Sequence, residues 1–191
     1  MEIQKSIGYL PELNPLYTEM IVYDYLQFIA SVRNIKGKQF SQALGRVIEQ
    51  CGLKGILHRH IGNCSKGYKQ RIGLAASMIH DPKILVLDEP VSGLDPNQIV
   101  EIRGLIQDLG REKTVMVSSH ILPEVQASCS RVLIINKGKL VADDTPVLGR
   151  LRRTKNGYVC GGLGSPFLDP QKSQLFNCSL ISGGQKKKVA I

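Results

Sequence analysis

The chain has 191 residues, of which 42% are hydrophobic and 21% charged, enough for one globular domain with a sizeable core. No apolar run approaches the ~20 residues of a membrane-spanning helix, and the N-terminus lacks a basic stretch leading into an apolar one, so any membrane role is expected to come through a partner. Of the net charge of +9, most falls after Gly149, where eight Lys and Arg face the single Asp169; this reads as a solvated basic tail more readily than as a surface for nucleic acid or acidic lipid.

Ile7–Leu10 is a short predicted strand that stops at Pro11. Glu12 follows, then the turn signal Asn14-Pro15. From Val22 to His80 the pattern is helical: Tyr25, Phe28, Ile29 and Val32 fall at helical spacing, as do Leu44, Val47 and Ile48, with Gly37 and Gly52 as punctuation. His58, His60 and Cys64 are zinc-ligand types, but a polar loop is the simpler reading. The five cysteines have no paired spacing and read as reduced thiols. Ser65 is placed to N-cap a helix that turns Ile72, Ala75, Ala76 and Ile79 inward. The first turn of that helix offers free N–H groups and a partial positive charge to an anion. Gly67 lets the backbone come close to it, and Lys66 and Lys69 add charge.

Asp81-Pro82 breaks the chain ahead of Ile84-Leu85-Val86-Leu87, an apolar run read as a strand buried on both faces. It ends in Asp88 and Glu89, then Pro90. Buried carboxylates are costly unless a cation or hydrogen bonds compensate them. At the C-terminal end of a parallel strand, where open α/β sheets bind ligands, one carboxylate suits Mg²⁺ and its neighbour suits polarising a water. Asp95-Pro96 has the form of an N-cap followed by proline at the first helical position. It opens an amphipathic helix with Ile99, Ile102, Leu105, Ile106 and Leu109, expected to close at Gly110. Thr114–Ser118 is the next strand, followed by Ser119 and His120. Arg131–Asn136 and Lys139–Asp143 flank Lys137-Gly138 as a predicted hairpin, and Pro146–Arg153 reads as the start of a short basic helix.

Cys64-Ser65-Lys66-Gly67-Tyr68-Lys69-Gln70-Arg71, the Ile84–Pro90 strand, Ser92-Gly93-Leu94-Asp95-Pro96 and Ser118-Ser119-His120 together, in this order and spacing, resemble the nucleotide-binding domain of ABC transporters from about Ile7 to about Arg153. The details are most similar to the ATPases of ABC-2-type exporters, the group that includes gliding-motility and multidrug-type exporters. The resemblance implies an α/β P-loop NTPase fold with a parallel sheet, and a helical subdomain at about residues 20–80 that docks on the transporter. It also implies ATP and Mg²⁺ as ligands. Ser65, Lys66, Gly67 and Tyr68 then form the signature that holds the γ-phosphate of ATP bound by the opposite subunit; Cys64 stands where leucine is usual, Lys66 and Tyr68 where glycine and glutamine are. Asp88 coordinates Mg²⁺ through water, Glu89 is the general base, and His120 contacts the γ-phosphate and holds the attacking water. Asp95 crosses the dimer interface as the D-loop. Glu12 takes the Q-loop position, where it keeps an oxygen ligand, adds a charge and loses the amide donor of the usual glutamine. The implied partners are transmembrane permease subunits and a second ATPase subunit, either another copy or a complete one. The implied location is cytoplasmic, on the inner face of the membrane through the permease.

No G-x-x-x-x-G-K-[ST] loop occurs in the sequence; Gly62 and Gly67 have the spacing, but Tyr68 follows. That loop supplies most of the N–H groups and the lysine that hold the β- and γ-phosphates. Its strand is central in this fold, so Ser6–Leu10, Ile84–Leu87, Val115–Val117 and Val132–Ile135 are expected to stand around a gap. The expectation is an N-terminally truncated domain: residues 1–153 a partial nucleotide-binding domain lacking its phosphate-loop strand, and residues 154–191 an irregular basic tail. Leu180–Ile191 in that tail, with Ser182-Gly183-Gly184-Gln185, is similar to a second signature. Three functions fit: an ATP-hydrolysing exporter subunit, a non-catalytic partner that completes the ATP site of a full-length subunit, or a soluble ABC protein acting on ribosomes or DNA. The last is disfavoured because Val22–His80 contains no heptad run.

Overall fold

The computed structural model describes residues 3–120 without a break, then 125, 127–136, 139–144, 151–154, 157–160 and 189–190. The chain divides into two units, residues 1–118 and 119–191.

The first unit is built on a three-stranded parallel sheet in the order β1 (Ile7–Leu10), β2 (Ile84–Asp88), β3 (Thr114–Ser118). In register, Gly8 pairs with Leu85 and Leu10 with Leu87; Leu87 pairs with Val117, and Asp88 with Ser118. One face of the sheet, carrying Gly8, Leu10, Leu85, Leu87 and Val117, is buried. On the other, Tyr9 and Met116 are exposed and Val86 is half-buried. Four apolar residues in a row suggest burial on both faces, but the strand alternates instead, and its open face is the one that carries Asp88.

Helix α1 (Ile3–Ser6) is a single turn before β1. Between β1 and β2 come α2 (Val22–Val32), α3 (Gly37–Cys51) and α4 (Lys66–Met78), the helical segment expected from the sequence pattern. Helix α2 buries Val22, Tyr25, Leu26 and Ala30, whereas Phe28 and Val32, expected inside, are exposed. Helix α3 buries Phe40, Ala43, Leu44, Val47 and Cys51 and ends at Gly52, whose left-handed backbone (φ +65°) is the usual glycine C-cap. Helix α4 is buried nearly all round, including Gly73, Leu74, Ser77 and Met78 as well as the expected Ile72 and Ala75. It packs so closely on β1 that a Cβ at Gly8 would overlap the Ser77 carbonyl and come within 2.7 Å of Leu85. Helix α5 (Pro96–Glu112) buries Ile102, Ile106 and Leu109. It runs on through Gly110, where the sequence suggested an end, because the stop is set by the extended Lys113 that leads into β3. Lys113 itself is held by Asp81 at 2.6 Å and by the Pro82 carbonyl at 3.1 Å.

In the second unit, β4 (Val132–Asn136) and β5 (Lys139–Asp144) form the expected antiparallel hairpin, and β8 (Val189–Ala190) pairs antiparallel with the other edge of β4. Thus β4 belongs to this sheet and not to the parallel one. The helix expected over Pro146–Arg153 is corrected in its described part: Leu151–Thr154 is strand β6, paired antiparallel with β7 (Gly157–Cys160), where the Arg152–Val159 and Leu151–Cys160 pairings satisfy the backbone groups. Residues 145–150 and the Ser182-Gly183-Gly184-Gln185 segment lie outside the described residues.

Two outcomes follow for the first unit. Gly8→Ala should lower stability by about 1–3 kcal/mol in denaturant unfolding, since α4 backbone and not a movable side chain meets the new methyl. The hydrogen bond from Lys113, with Arg46 nearby, holds the Asp81 carboxyl below its usual range. The stability it contributes is fully present above about pH 4 and is lost as pH falls through the folded-state value. Asp81→Asn should remove that acid dependence, as read by the unfolding midpoint measured between about pH 2 and pH 6.

Candidate functional site

Two clusters of polar residues lie in the first unit. The first is at the C-terminal edge of the parallel sheet. Asp88 closes β2 on its open face, and its carboxylate is held from both sides: the Ser118 hydroxyl on β3 donates to Oδ1 at 2.5 Å, and the Tyr9 hydroxyl on β1 reaches Oδ2 at 3.5 Å. The register that pairs Asp88 with Ser118 makes the shorter contact unavoidable.

Glu89 is 5% exposed and has φ +51°, a left-handed conformation that is rare and costly for a residue with a side chain. Its N–H donates to the Ser118 carbonyl at 3.0 Å, and its own carbonyl accepts from the Ser92 N–H at 3.0 Å. The backbone is thus bent sharply as it leaves the sheet and fastened on both sides of the bend. Strain of this kind persists where the surroundings over-determine it, and such places cluster at functional sites. Glu12, two residues past the end of β1, is half-buried; β1 and β2 are parallel, so it leaves the sheet from the same end as Asp88 and Glu89.

The second cluster joins the first turns of α4 and α5. Ser65 caps α4 by accepting from the Tyr68 N–H at 3.3 Å. Asp95 caps α5 by accepting from the Gln98 N–H at 2.9 Å, with Pro96 at the first helical position, as the sequence suggested. The two helices exchange side chains. The Gln98 carboxamide covers Gly67: a Cβ there would stand 2.8 Å from Cδ and 3.0 Å from Oε1. The Lys66 ammonium lies against Gly93, which has φ +67° in the turn after β2. Below them Arg71 donates to the Cys51 carbonyl at the end of α3 (3.1 Å) and pairs with Glu101 of α5 (2.8 Å). A cavity of about 460 Å³ opens here, lined by Ser65, Gly67, Tyr68, Arg71, Gln98 and Glu101 among others.

The structure therefore brings Asp88 and Glu89 together at one strand end, and Ser65, Lys66, Gly67 and Asp95 together at two helix starts. His120 is exposed and belongs to the second unit. His60, considered as a metal-ligand type, ties a loop through Nδ1 and the Glu19 carbonyl at 3.0 Å. Sequence reasoning did not single out Ser118 and Tyr9 as partners of Asp88, or Gln98, Arg71 and Glu101 around the α4 start. The signal for Ser118 was present: in parallel strands, the polar residue that ends one apolar run faces the polar residue that ends the next.

Residues 1–92 match the family model described as ABC transporter. The bacitracin transport ATP-binding protein BcrA of Bacillus licheniformis is 38% identical over 144 residues, which cover 74% of this chain and 46% of that protein. The ABC transporter ATP-binding protein YhcH of Bacillus subtilis is 42% identical over 139 residues, 72% of this chain and 45% of that protein. Over about three quarters of its length the chain is thus similar to ABC transporter ATP-binding proteins. Among solved structures, cbiO1 from Clostridium perfringens, described as part of the ABC transporter complex cbiONQ, superposes with a TM-score of 0.68 at 26% identity, covering 76% of this chain and 59% of that one. The α/β architecture with its parallel sheet is thus the P-loop NTPase fold of ABC ATPases. The chain spans about half the length of the curated relatives it matches.

The cost of the bend at Glu89 can be isolated. Glu89→Gly should be more stable than Glu89→Ala by about 1–2 kcal/mol in chemical denaturation, because both lose the carboxylate and only alanine retains the Cβ that the left-handed conformation penalises.

Proposed function

We propose that the chain serves as the ATP-binding and ATP-hydrolysing subunit of an ABC-2-type membrane exporter, working with separate transmembrane permease subunits. The observation that carries this reading is the carboxylate pair at the end of β2: Asp88 fixed by Ser118, and Glu89 held in a strained bend directly beside it. Water attacks the γ-phosphorus in line, the bond to the β–γ bridging oxygen breaks, and ADP leaves. Glu89 takes the proton of the attacking water, and His120 orients that water and the γ-phosphate. The oxygen donors of Asp88 and Ser118 suit Mg²⁺, which keeps several waters and takes one or two carboxylates beside substrate phosphates. When bound, the ion neutralises charge on those phosphates. The sequence has no phosphate-cradling loop, so in this reading that loop comes from residues other than these 191.

The permease partner finds support on α2 and the segment before it. Leu13, Tyr17, Phe28 and Val32 are exposed, and a groove of about 510 Å³ runs along Leu16, Tyr17, Met20 and Phe28. Tyr17 and Phe28 stack edge to face at 5.7 Å, which gives the groove a firm aromatic wall. An apolar groove of this form suits a short helix of a membrane subunit. In the relatives that bear such names the ATP-binding protein belongs to a transporter, and this reading extends that role to the present chain.

A second reading is favoured by the order of the α4 start. Ser65 caps α4 and Gly67 is backed by Gln98, which supports a half-site for a partner's ATP even without a phosphate loop. In that case the chain closes over ATP bound to a complete subunit.

The two readings separate in one assay series. With the chain assembled in its transporter, Glu89→Gln should lower kcat by roughly 10²–10⁴-fold while nucleotide binding is retained; an unchanged kcat would remove Glu89 as base. If Glu89→Gln is silent but the chain stimulates the turnover of a complete partner subunit, and Ser65→Arg abolishes that stimulation, the half-site reading stands alone.

A further inference from the structure

The α5 residue Gln98 sits where the sequence would not place it. Asp95-x-x-Gln98 has the spacing of a capping box, in which the glutamine folds back to the N–H of its own cap residue. Asp95 does accept from the Gln98 N–H, but the Gln98 side chain extends across to α4 and lies over Gly67. Cα–Cβ bonds tilt toward the helix N-terminus, so the group that occupies the Cβ position of Gly67 stands on the side toward which the first-turn amides of α4 point. The Tyr68 N–H is already engaged by Ser65. An anion on this turn is therefore met by the neighbouring first-turn amides, and the Gln98 carboxamide, whose Oε1 faces Gly67, turns over to present its N–H₂ to it. The same side chain lines the 460 Å³ cavity with Ser65, Tyr68 and Arg71.

We propose that Gln98 is a further binding residue of the α4 half-site, its carboxamide N–H donating to the terminal phosphate of a nucleoside triphosphate held on the first turn. This rests on the signature reading of Ser65–Tyr68 given above. The exchange of Lys66 and Gln98 between α4 and α5 gives the contact its rigidity: Lys66 leans on Gly93 beside Asp95, and Gln98 leans on Gly67 beside Ser65. The half-site is then composed of two helix starts, and the D-loop helix supplies a ligand to the signature of the same chain.

The test is titration of the ¹⁵N-labelled full chain with ATP, to about 10 mM so that millimolar affinity registers, following the amide resonances of Lys66 and Gly67. These amides should shift in the wild-type chain. Gln98→Ala should weaken binding by about tenfold, the value of one hydrogen bond to a charged group. Gln98→Glu should weaken it further by repulsion, and Gln98→Arg, which restores N–H donors, should bind at least as tightly as wild type. Resonances elsewhere should be unchanged, which shows that each variant is folded. A packing role alone would not order the variants by charge. Equal affinity in all four, with loss in Ser65→Arg, overturns the role of Gln98 and leaves the signature reading intact. No shift at Lys66 or Gly67 in the wild-type chain overturns both.

Discussion

A carboxylate at the end of a central strand needs fixed partners, and here the parallel sheet itself supplies them. Because β2 lies between β1 and β3, Asp88 is flanked by Tyr9 on one side and Ser118 on the other. The Glu89 N–H makes the last bond of the ladder, to the Ser118 carbonyl, and the chain then turns into a left-handed bend. The same bend leads through Gly93 to Asp95, so the geometry at the sheet edge also determines where α5 begins. The apolar face beneath is filled by α4, whose close approach at Gly8 leaves no room for adjustment. Rigidity below and strain above are two consequences of one packing arrangement.

Polar links add to the apolar packing that fastens the helical segment to this core. Arg71, itself largely shielded from solvent, joins the end of α3 to the mostly exposed Glu101 on α5. The Cys51 thiol in the same region is pushed by burial up to about 12, which leaves it protonated and inert. A displacement of α3 would be felt at α5 through Arg71.

Most of the architecture was legible because it rests on local rules. Ser65, Asp95-Pro96 and Gly52 mark helix ends by capping chemistry, and the apolar runs of β1, β2 and β3 announce themselves. The misreadings have tertiary causes. Phe28 and Val32 lie on a helical stripe, but the core contacts Leu26 and Ala30 instead. Gly110 ends nothing because α5 is held by packing at Leu109. At Leu151–Thr154 strand pairing overrides an apparent helix start. The candidate site was legible as residue types and spacing: the sequence alone singles out Asp88, Glu89, Ser65, Gly67 and Asp95 as candidates. Their partners could not, since Gln98 over Gly67 depends on how two helices cross and a local capping pattern points the other way.

In the function proposed above, these residues supply a catalytic edge and a half-site for a partner's phosphate, and residues other than these 191 form the cradle for the chain's own nucleotide. Equilibrium binding of a fluorescent Mg²⁺–ATP analogue to the purified chain tests it most directly. The predicted result is binding no tighter than about 100 μM, unaffected by Asp88→Asn. Competable micromolar binding that is lost in Asp88→Asn would contradict it, and would mean that residues within this chain already cradle the phosphates beside Asp88.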